Sequence, residues 1–209
     1  MPDSETSKEA AWFEDLYRDA AGETARVPWA DNKPNPNLIK WIERERPNGR
    51  GLKCAVSGCG LGDDAELLDR QGFSVTAFDV SPTAIEWAKK RFPSTRVKYE
   101  IVDLFELPES FSKQFDFVFE AYTIQALPES LRERAIEQVA SLVAPQGKLL
   151  VICRGRNIDD DAPARPWPLT FNDIASFELH GLRCSSFEDF EDEERNPPVR
   201  RFRALFERA

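Results

Sequence analysis

Three alternating glycines, Gly58, Gly60 and Gly62, stand between an apolar run and a helical pattern that begins at Asp63. Without side chains, a backbone there can turn sharply and approach a ligand closely, and Cys59 lies inside the same turn. Asp79, followed by Val80, ends the next apolar run at the spacing from which a carboxylate reaches ribose hydroxyls. Each of its oxygens can accept from one hydroxyl of the pair. Asp103-Leu104 joins an acceptor for the amino group of a base to an apolar wall for its ring, and Glu120 ends a fourth run. All four places are expected at the carboxyl ends of parallel strands, where open α/β sheets bind ligands. The chemistry implied is recognition of a nucleoside.

The dinucleotide spacing GxGxxG is not met, because its third glycine falls on Asp63. Asp63 and Asp64 at the helix start are poor neighbours for a pyrophosphate, whereas a phosphate-free sulfonium is not repelled by them. S-adenosylmethionine (SAM) is therefore the expected cofactor. A nicotinamide-dependent oxidoreductase is the rival, but it lacks both the third glycine and a Tyr-x-x-x-Lys pair.

The elements that must position these residues alternate in type. Lys53–Ser57 (KCAVS) reads as a buried strand and Asp63–Gln71 as a helix, with Gly72 at its C-terminal cap. Ser74–Val80 is a second strand, and Ser81-Pro82 starts a helix, with Ser as N-cap and Pro at the first position. Residues 97–105 and 115–122 read as strands three and four. Leu131, Ala135, Val139 and Leu142 recur at helical spacing, and Pro145–Gly147 turns into a fifth strand, Lys148–Cys153. Such alternation implies a parallel sheet with helices on both faces. A short helix at 172–179 then precedes two strands, 182–190 and 199–206, close enough to pair as an antiparallel hairpin. Asn196-Pro197-Pro198 lies in the turn between them. Arg200, Arg201 and Arg203 alternate with apolar residues and are expected on the solvated face of an edge strand.

With 209 residues, 41% hydrophobic and 31% charged, the chain reads as one globular domain, 1–209. Within it, 1–45 is an N-terminal segment, 50–155 the core, and 156–209 a loop, short helix and hairpin. A net charge of −9 argues against nucleic acid, whose affinity comes from cations on phosphates. No apolar run approaches the roughly 20 residues of a membrane span. The acidic N-terminus is unlike a secretory signal, so a cytoplasmic location is expected. Four scattered cysteines and one histidine form neither a disulfide framework nor a metal site. Cys54 and Cys153 read as core residues, as do Trp41 and Trp87.

These residues resemble the class I SAM-dependent methyltransferases, and within them the thiopurine and thiol/halide methyltransferase group. Val56–Gly62 is similar to the group's V-P-GCG-x-G turn. Val27-Pro28-Trp29 with Lys33-Pro34-Asn35-Pro36 is similar to its P-W…P-x-P segment. Ser57 stands where the group often has proline. Val56 replaces the acid that many methyltransferases carry two residues before the first glycine. The resemblance implies a Rossmann-like α/β fold with a mostly parallel seven-stranded sheet ending in an antiparallel hairpin. It also implies that 1–45 covers the cofactor, with Trp12 and Trp29 over it, and that Gly58, Gly60, Asp79, Asp103 and Leu104 are cofactor contacts.

A sulfonium is attracted to aromatic faces by about 0.5–2 kcal/mol. Methyl transfer needs alignment more than a strong base, least of all for a thiol. His180, before Gly181, reads as a helix end rather than a base. Tyr122 and Arg154 are the acceptor-site candidates, and the 154–167 stretch is expected to be a lid at the pocket mouth. The expected acceptor is a small molecule, with a thiol or other soft nucleophile favoured and the protein a monomer or weak dimer. The alternatives are an O- or N-nucleophile, or a non-catalytic SAM-binding protein.

Overall fold

The computed structural model describes residues 4–162 and 164–209. The first three residues of the acidic N-terminus and Pro163 of the 154–167 stretch lie outside the described residues. Two compact units are present, Met1–Leu107 and Pro108–Ala209.

The first unit contains α1 (Ser4–Asp19), α2 (Pro36–Glu45), β1 (Lys53–Ser57), α3 (Asp63–Arg70), β2 (Ser74–Asp79), α4 (Pro82–Arg91) and β3 (Lys98–Ile101). β2 pairs in parallel with β1, from Lys53 opposite Ser74 to Ser57 opposite Phe78, and with β3, from Thr76 opposite Lys98 to Asp79 opposite Ile101. Cys54, Ala55 and Val56 are buried, as expected for a near-continuous apolar run in a parallel strand. The helix starts follow side-chain caps. Ser81 Oγ accepts from the Ala84 amide at 3.0 Å, and the Asn35 side chain accepts from the Asn37 amide, each ahead of a proline at the first turn. The third strand is shorter than the expected 97–105. Asp103 accepts from the Phe105 amide at 2.8 Å and caps a 3-10 turn, Leu104–Glu106. A local side-chain bond of this kind competes with the strand ladder.

The second unit contains β4 (Phe115–Ala121), α5 (Glu129–Leu142), β5 (Val143–Arg154), α6 (Phe171–Ala175), β6 (Leu182–Asp192) and β7 (Val199–Arg208). β4 and β5 are parallel, while β7 is antiparallel to both β5 and β6, giving the order β4-β5-β7-β6. Seven strands are thus described in all, and the run of parallel strands closes in an antiparallel hairpin as expected. Leu131, Ala135, Val139 and Leu142 are buried along one stripe of α5.

Three further expectations are corrected. β5 begins at Val143, not Lys148. Pro145–Gly147 is accommodated by a register shift between Phe115 and Phe117, with Gln146 at φ 64°, as a bulge absorbs extra residues without ending a strand. The helix expected at 172–179 divides into α6 and a 3-10 turn, Ser176–His180. Finally, β7 is an inner strand. Arg201 and Arg203 are buried and face acids of β6, Asp192 at 3.4 Å and Glu188 at 2.6 Å, rather than solvent.

Candidate functional site

Asp79 holds the glycine turn together. Its Oδ2 accepts from the Gly60 amide at 2.9 Å, and its Oδ1 from the Ser81 amide at 3.0 Å. Its own carbonyl accepts from Val102 at 3.1 Å, and the Cys59 amide donates to the neighbouring Phe78 carbonyl at 3.0 Å. The turn, the end of β2 and the segment leading to Asp103 are therefore tied to one another. Each Asp79 oxygen keeps a lone pair beyond these bonds. Burial pushes the Asp79 carboxyl up from its ordinary value, and the Ser81 and Gly60 amides oppose that rise. Gly58, Gly60 and Gly62 all have positive φ, at 60°, 50° and 88°. A Cβ on Gly60 would stand 3.0 Å from Tyr17 Oη, so the turn is lined closely by an aromatic hydroxyl.

That tyrosine belongs to the N-terminal segment. Tyr17 is 2% exposed and packs with Ala20, Val27, Leu61 and Ala84, with Trp87 and Leu16 against the same cluster. Tyr17 Oη accepts from Trp29 Nε1 at 2.7 Å. Trp29 lies 6.0 Å from both Trp12 and Phe13, centroid to centroid. Trp12 and Trp29 are each 37% exposed, so each keeps part of an aromatic face open. A second tie comes from Glu14 on α1, which accepts from Ser81 Oγ and Thr83 Oγ1, both at 2.6 Å, and from the Thr83 amide at 3.2 Å. The segment 1–45 was expected to cover the site. Its described part is bolted to the glycine turn and to the first turn of α4.

The acids at the start of α3 play different parts. Asp63 is neutralised by a two-pronged pair with Arg91, at 2.7 and 2.8 Å. Asp64 accepts from the Asn35 amide at 2.6 Å. Burial lifts its carboxyl to about 7, the Asn35 bond opposes the rise, and the charge of Asp63 adds to it. Asp63 has its own counter-charge, so the repulsion toward phosphate read from the sequence falls to Asp64 alone, and only to the extent that its raised carboxyl is ionised. Asn35 is buried at 7% exposure, and its side-chain Nδ2 has no partner. A buried donor without an acceptor costs about 1–3 kcal/mol, which a bound oxygen would relieve.

The remaining candidates lie in the second unit. Glu120 is fully buried. Its Oε1 accepts from the Thr123 and Ile124 amides at 2.8 and 3.1 Å, while its Oε2 has no partner. Burial raises its carboxyl to about 7 against those two bonds. Tyr122 follows β4 at φ 67°, a backbone that bulky residues seldom adopt. The Arg201 guanidinium sits 5.1 Å above its ring. Arg154 ends β5. Its amide donates to Gln125 Oε1 at 2.7 Å, and its carbonyl accepts from Leu169 at 2.9 Å. His180 Nε2 lies 2.9 Å from Glu133 Oε1 at the end of its 3-10 turn.

In the first unit, Trp12, Trp29, Cys59, Gly60 and Asp79 are brought together, and Val80, Asp103 and Leu104 adjoin them. The second unit holds Glu120, Tyr122 and Arg154. The sequence reading did not single out Tyr17, Glu14 or Asn35, which the structure ties to the glycine turn and the helix starts beside it, and it used Asp64 only as a neighbour unfavourable to phosphate. Asn35 had a signal, since it lies inside the P-x-P segment. Tyr17 and Glu14 had none, because nothing local distinguishes them from other polar positions of an amphipathic helix.

Residues 56–147 match a family described as a methyltransferase domain. The chain is 28% identical over 145 residues to the 2-heptyl-1-hydroxyquinolin-4(1H)-one methyltransferase of Mycobacteroides abscessus, covering 67% of this chain and 62% of that protein. It is 29% identical over 137 residues to the probable thiol methyltransferase 2 of Arabidopsis thaliana, covering 62% of this chain and 58% of the relative. The chain therefore spans about three fifths of the length of these relatives. Among solved structures, the magnesium protoporphyrin IX methyltransferase ChlM from Synechocystis with bound SAM superposes with a TM-score of 0.72. The identity is 18%, with 96% of this chain and 97% of that one covered. At these identities the likeness is one of fold.

Proposed function

We propose that this chain, which carries a methyltransferase domain on the class I fold, binds SAM and transfers its methyl group to a small-molecule acceptor, a thiol or other soft nucleophile being favoured. The observation that carries the reading is Asp79, whose carboxylate fixes the glycine turn through Gly60 and Ser81 and keeps a lone pair on each oxygen for a ribose.

The residues fit the group. In this reading Asp79 takes the ribose hydroxyls, and Asp103 and Leu104 hold the base. Gly58, Cys59, Gly60 and Val80 bring backbone against the ligand. Trp12 and Trp29 offer exposed aromatic faces to the sulfonium. Val56 cannot meet the methionyl ammonium, but Asp64 supplies a carboxylate nearby in the chain. The unpartnered Nδ2 of Asn35 supplies a donor for the methionyl carboxylate. When bound, SAM would supply an electrophilic methyl group on a cationic sulfur, a good leaving group for transfer to a nucleophile.

The protein's part is to hold and align. Asp79 fixes the sugar through a carboxylate that two backbone amides keep immobile, and the N-terminal aromatic cluster excludes water from the sulfonium. No side chain is assigned as general base, since a thiol near its ordinary pKa of about 8.5 ionises readily. In this reading Tyr122 and Arg154 face the acceptor, and Glu120 holds the turn that carries Tyr122 by accepting from the Thr123 and Ile124 amides just beyond it. A cytoplasmic location with small molecules as partners belongs to the same reading. No helix among the described residues is long and apolar enough to cross a membrane.

An O- or N-nucleophile is the second reading, because relatives of similar identity include a hydroxyquinolinone methyltransferase and a ubiquinone biosynthesis O-methyltransferase of Coxiella burnetii. Calorimetric titration with SAM, S-adenosylhomocysteine and NADH tests the cofactor, and a labelled-methyl assay over thiols, halides, phenols and amines tests the acceptor. Asp79→Ala is expected to weaken SAM at least about tenfold, in line with loss of a charged hydrogen-bond acceptor. Unchanged affinity in a folded variant would refute the ribose assignment. Phenols or amines methylated far faster than any thiol would replace the first acceptor class by the second.

A further inference from the structure

The arginines of the β5-β7-β6 sheet are matched to acceptors with one exception. Arg200 is held two-pronged by Asp189, at 2.8 and 2.6 Å, and Arg203 by Glu188, at 2.8 and 2.6 Å. Arg201 faces Asp192, and Arg183 faces Glu207 at 2.9 Å. Arg208 spends its guanidinium on the carbonyls of Val143 and Ala140. Arg154 has neither a carboxylate nor a carbonyl on its guanidinium among the described residues. It is nevertheless partly buried, and in the antiparallel pairing it stands directly opposite Arg201. Like charges opposite one another on a sheet are destabilising, and a half-desolvated cation without a partner adds to that cost. Burial first, then the charges of Arg201 and Arg195, hold the Arg154 guanidinium below its ordinary pKa, while the Tyr122 phenol acts in the opposite sense.

The surroundings fix this unsatisfied group in place. The Arg154 backbone is pinned by Gln125 Oε1 on one side and Leu169 on the other. Gln125 is 2% exposed, and its own carbonyl accepts from Trp167 at 2.8 Å, so one buried residue anchors both ends of the 154–167 stretch. Arg201 cannot swing away to reduce the repulsion, since it is 4% exposed between Asp192 and the Tyr122 ring.

We infer that Arg154, with Arg201 behind it and Tyr122 beside it, forms an anion-binding subsite, and that the methyl acceptor carries a compact negative charge, a carboxylate or a thiolate, which Arg154 pairs. A planar guanidinium with its donors free suits a carboxylate, which it can take two-pronged, and it serves a thiolate as a counter-charge. The identification of the anion with the acceptor rests on the methyl-transfer reading. The existence of the subsite does not.

The test separates the two. Protein loaded with S-adenosylhomocysteine is titrated calorimetrically with methyl thioethers in matched pairs: 3-(methylthio)propionate against its amide, and 4-(methylthio)benzoate against its amide. An acid is expected to bind at least about tenfold more tightly than its amide, the scale of a hydrogen bond to a charged group. Arg154→Gln is expected to abolish the preference, and Arg154→Lys to keep part of it, while SAM affinity serves as the control for folding. Equal binding of acid and amide, binding of neither acid, or a preference that survives in Arg154→Gln overturns the subsite. A labelled-methyl assay with 3-mercaptopropionate and thiocyanate then distinguishes a carboxylate handle from a reacting anion. Anion preference in binding without methyl transfer to any acceptor would sink the methyl-transfer reading and leave the subsite standing.

Discussion

At Gly62 the backbone has φ 88°, and a Cβ added there would overlap the Tyr99 hydroxyl and lie 2.8 Å from ring carbon Cζ. Tyr99 cannot simply retreat, because its hydroxyl donates to Glu66 at 2.9 Å. Gly51 has a similar φ of 81° with nothing within 4 Å of its Cβ position. Both substitutions to alanine incur the left-handed cost of about 1–2 kcal/mol, and only Gly62→Ala incurs the overlap as well. Chemical denaturation is expected to show Gly62→Ala less stable than Gly51→Ala by at least about 1 kcal/mol, within the range of overpacking. Equal losses would mean that the glycine serves conformation alone. The three glycines were legible in the sequence because their spacing is local. What presses on them was not, since Tyr17 and Tyr99 arrive from elements tens of residues away.

The element most exposed to a single change is α1, which Glu14 fastens to the first turn of α4 through Ser81 and Thr83. Burial is the largest influence on this carboxyl and pushes it up. The combined bonds from Ser81 and Thr83 outweigh that push, so the group titrates below its ordinary value. A depressed carboxyl contributes stability above the unfolded pKa, about 4.3, and loses it as pH falls through the folded value. Glu14→Gln is therefore expected to cost about 1–2 kcal/mol near neutrality. The gap from wild type should narrow only as pH falls below about 4.3 and through the lower folded value, where the Glu14 carboxyl takes up its proton. A gap that stays constant down to pH 3 would rule out the carboxylate as the fastener. At this scale the sequence disclosed most strands and the hairpin, since apolar runs and the Ser81-Pro82 cap are local signals. It misplaced the ends of β3 and β5, because Asp103 turned its side chain onto the Phe105 amide and the 145–147 turn was taken up as a bulge inside the sheet. The basic run 200–203 was read as an edge for want of its acids, Asp189, Asp192 and Glu188, whose register against β7 only the folded hairpin reveals.

Each unit carries one carboxyl raised to about 7, Asp64 in the first and Glu120 in the second. Burial is the leading cause in both, and with Asp79, which burial also raises, they act on stability in the same sense as pH changes. Their unfolded values are about 3.9 and 4.3. Between roughly pH 4 and 7 the folded chain therefore holds protons that the unfolded chain has released, and stability must fall as pH rises through that window. Each group can contribute a slope of up to about 1.4 kcal/mol per pH unit there, and 1 kcal/mol moves Tm by about 2–4 °C in a chain of this length. Carboxyls held low, such as Glu14 and Asp189, act in the opposite sense but only at lower pH, so they do not mask the trend. Thermal unfolding of the ligand-free protein from pH 5 to pH 8 is expected to show a falling Tm, with a shallower fall in Glu120→Gln and in Asp64→Asn. If Asp64 meets the ammonium of SAM, binding must expel its proton. Calorimetric titration at pH 6.5 in buffers of different ionisation enthalpy should then register proton release that Asp64→Asn abolishes. A Tm that is flat or rises between pH 5 and 7 would contradict the buried-carboxyl account. Proton release unchanged in Asp64→Asn would remove that residue from the cofactor site, whatever became of Asp79.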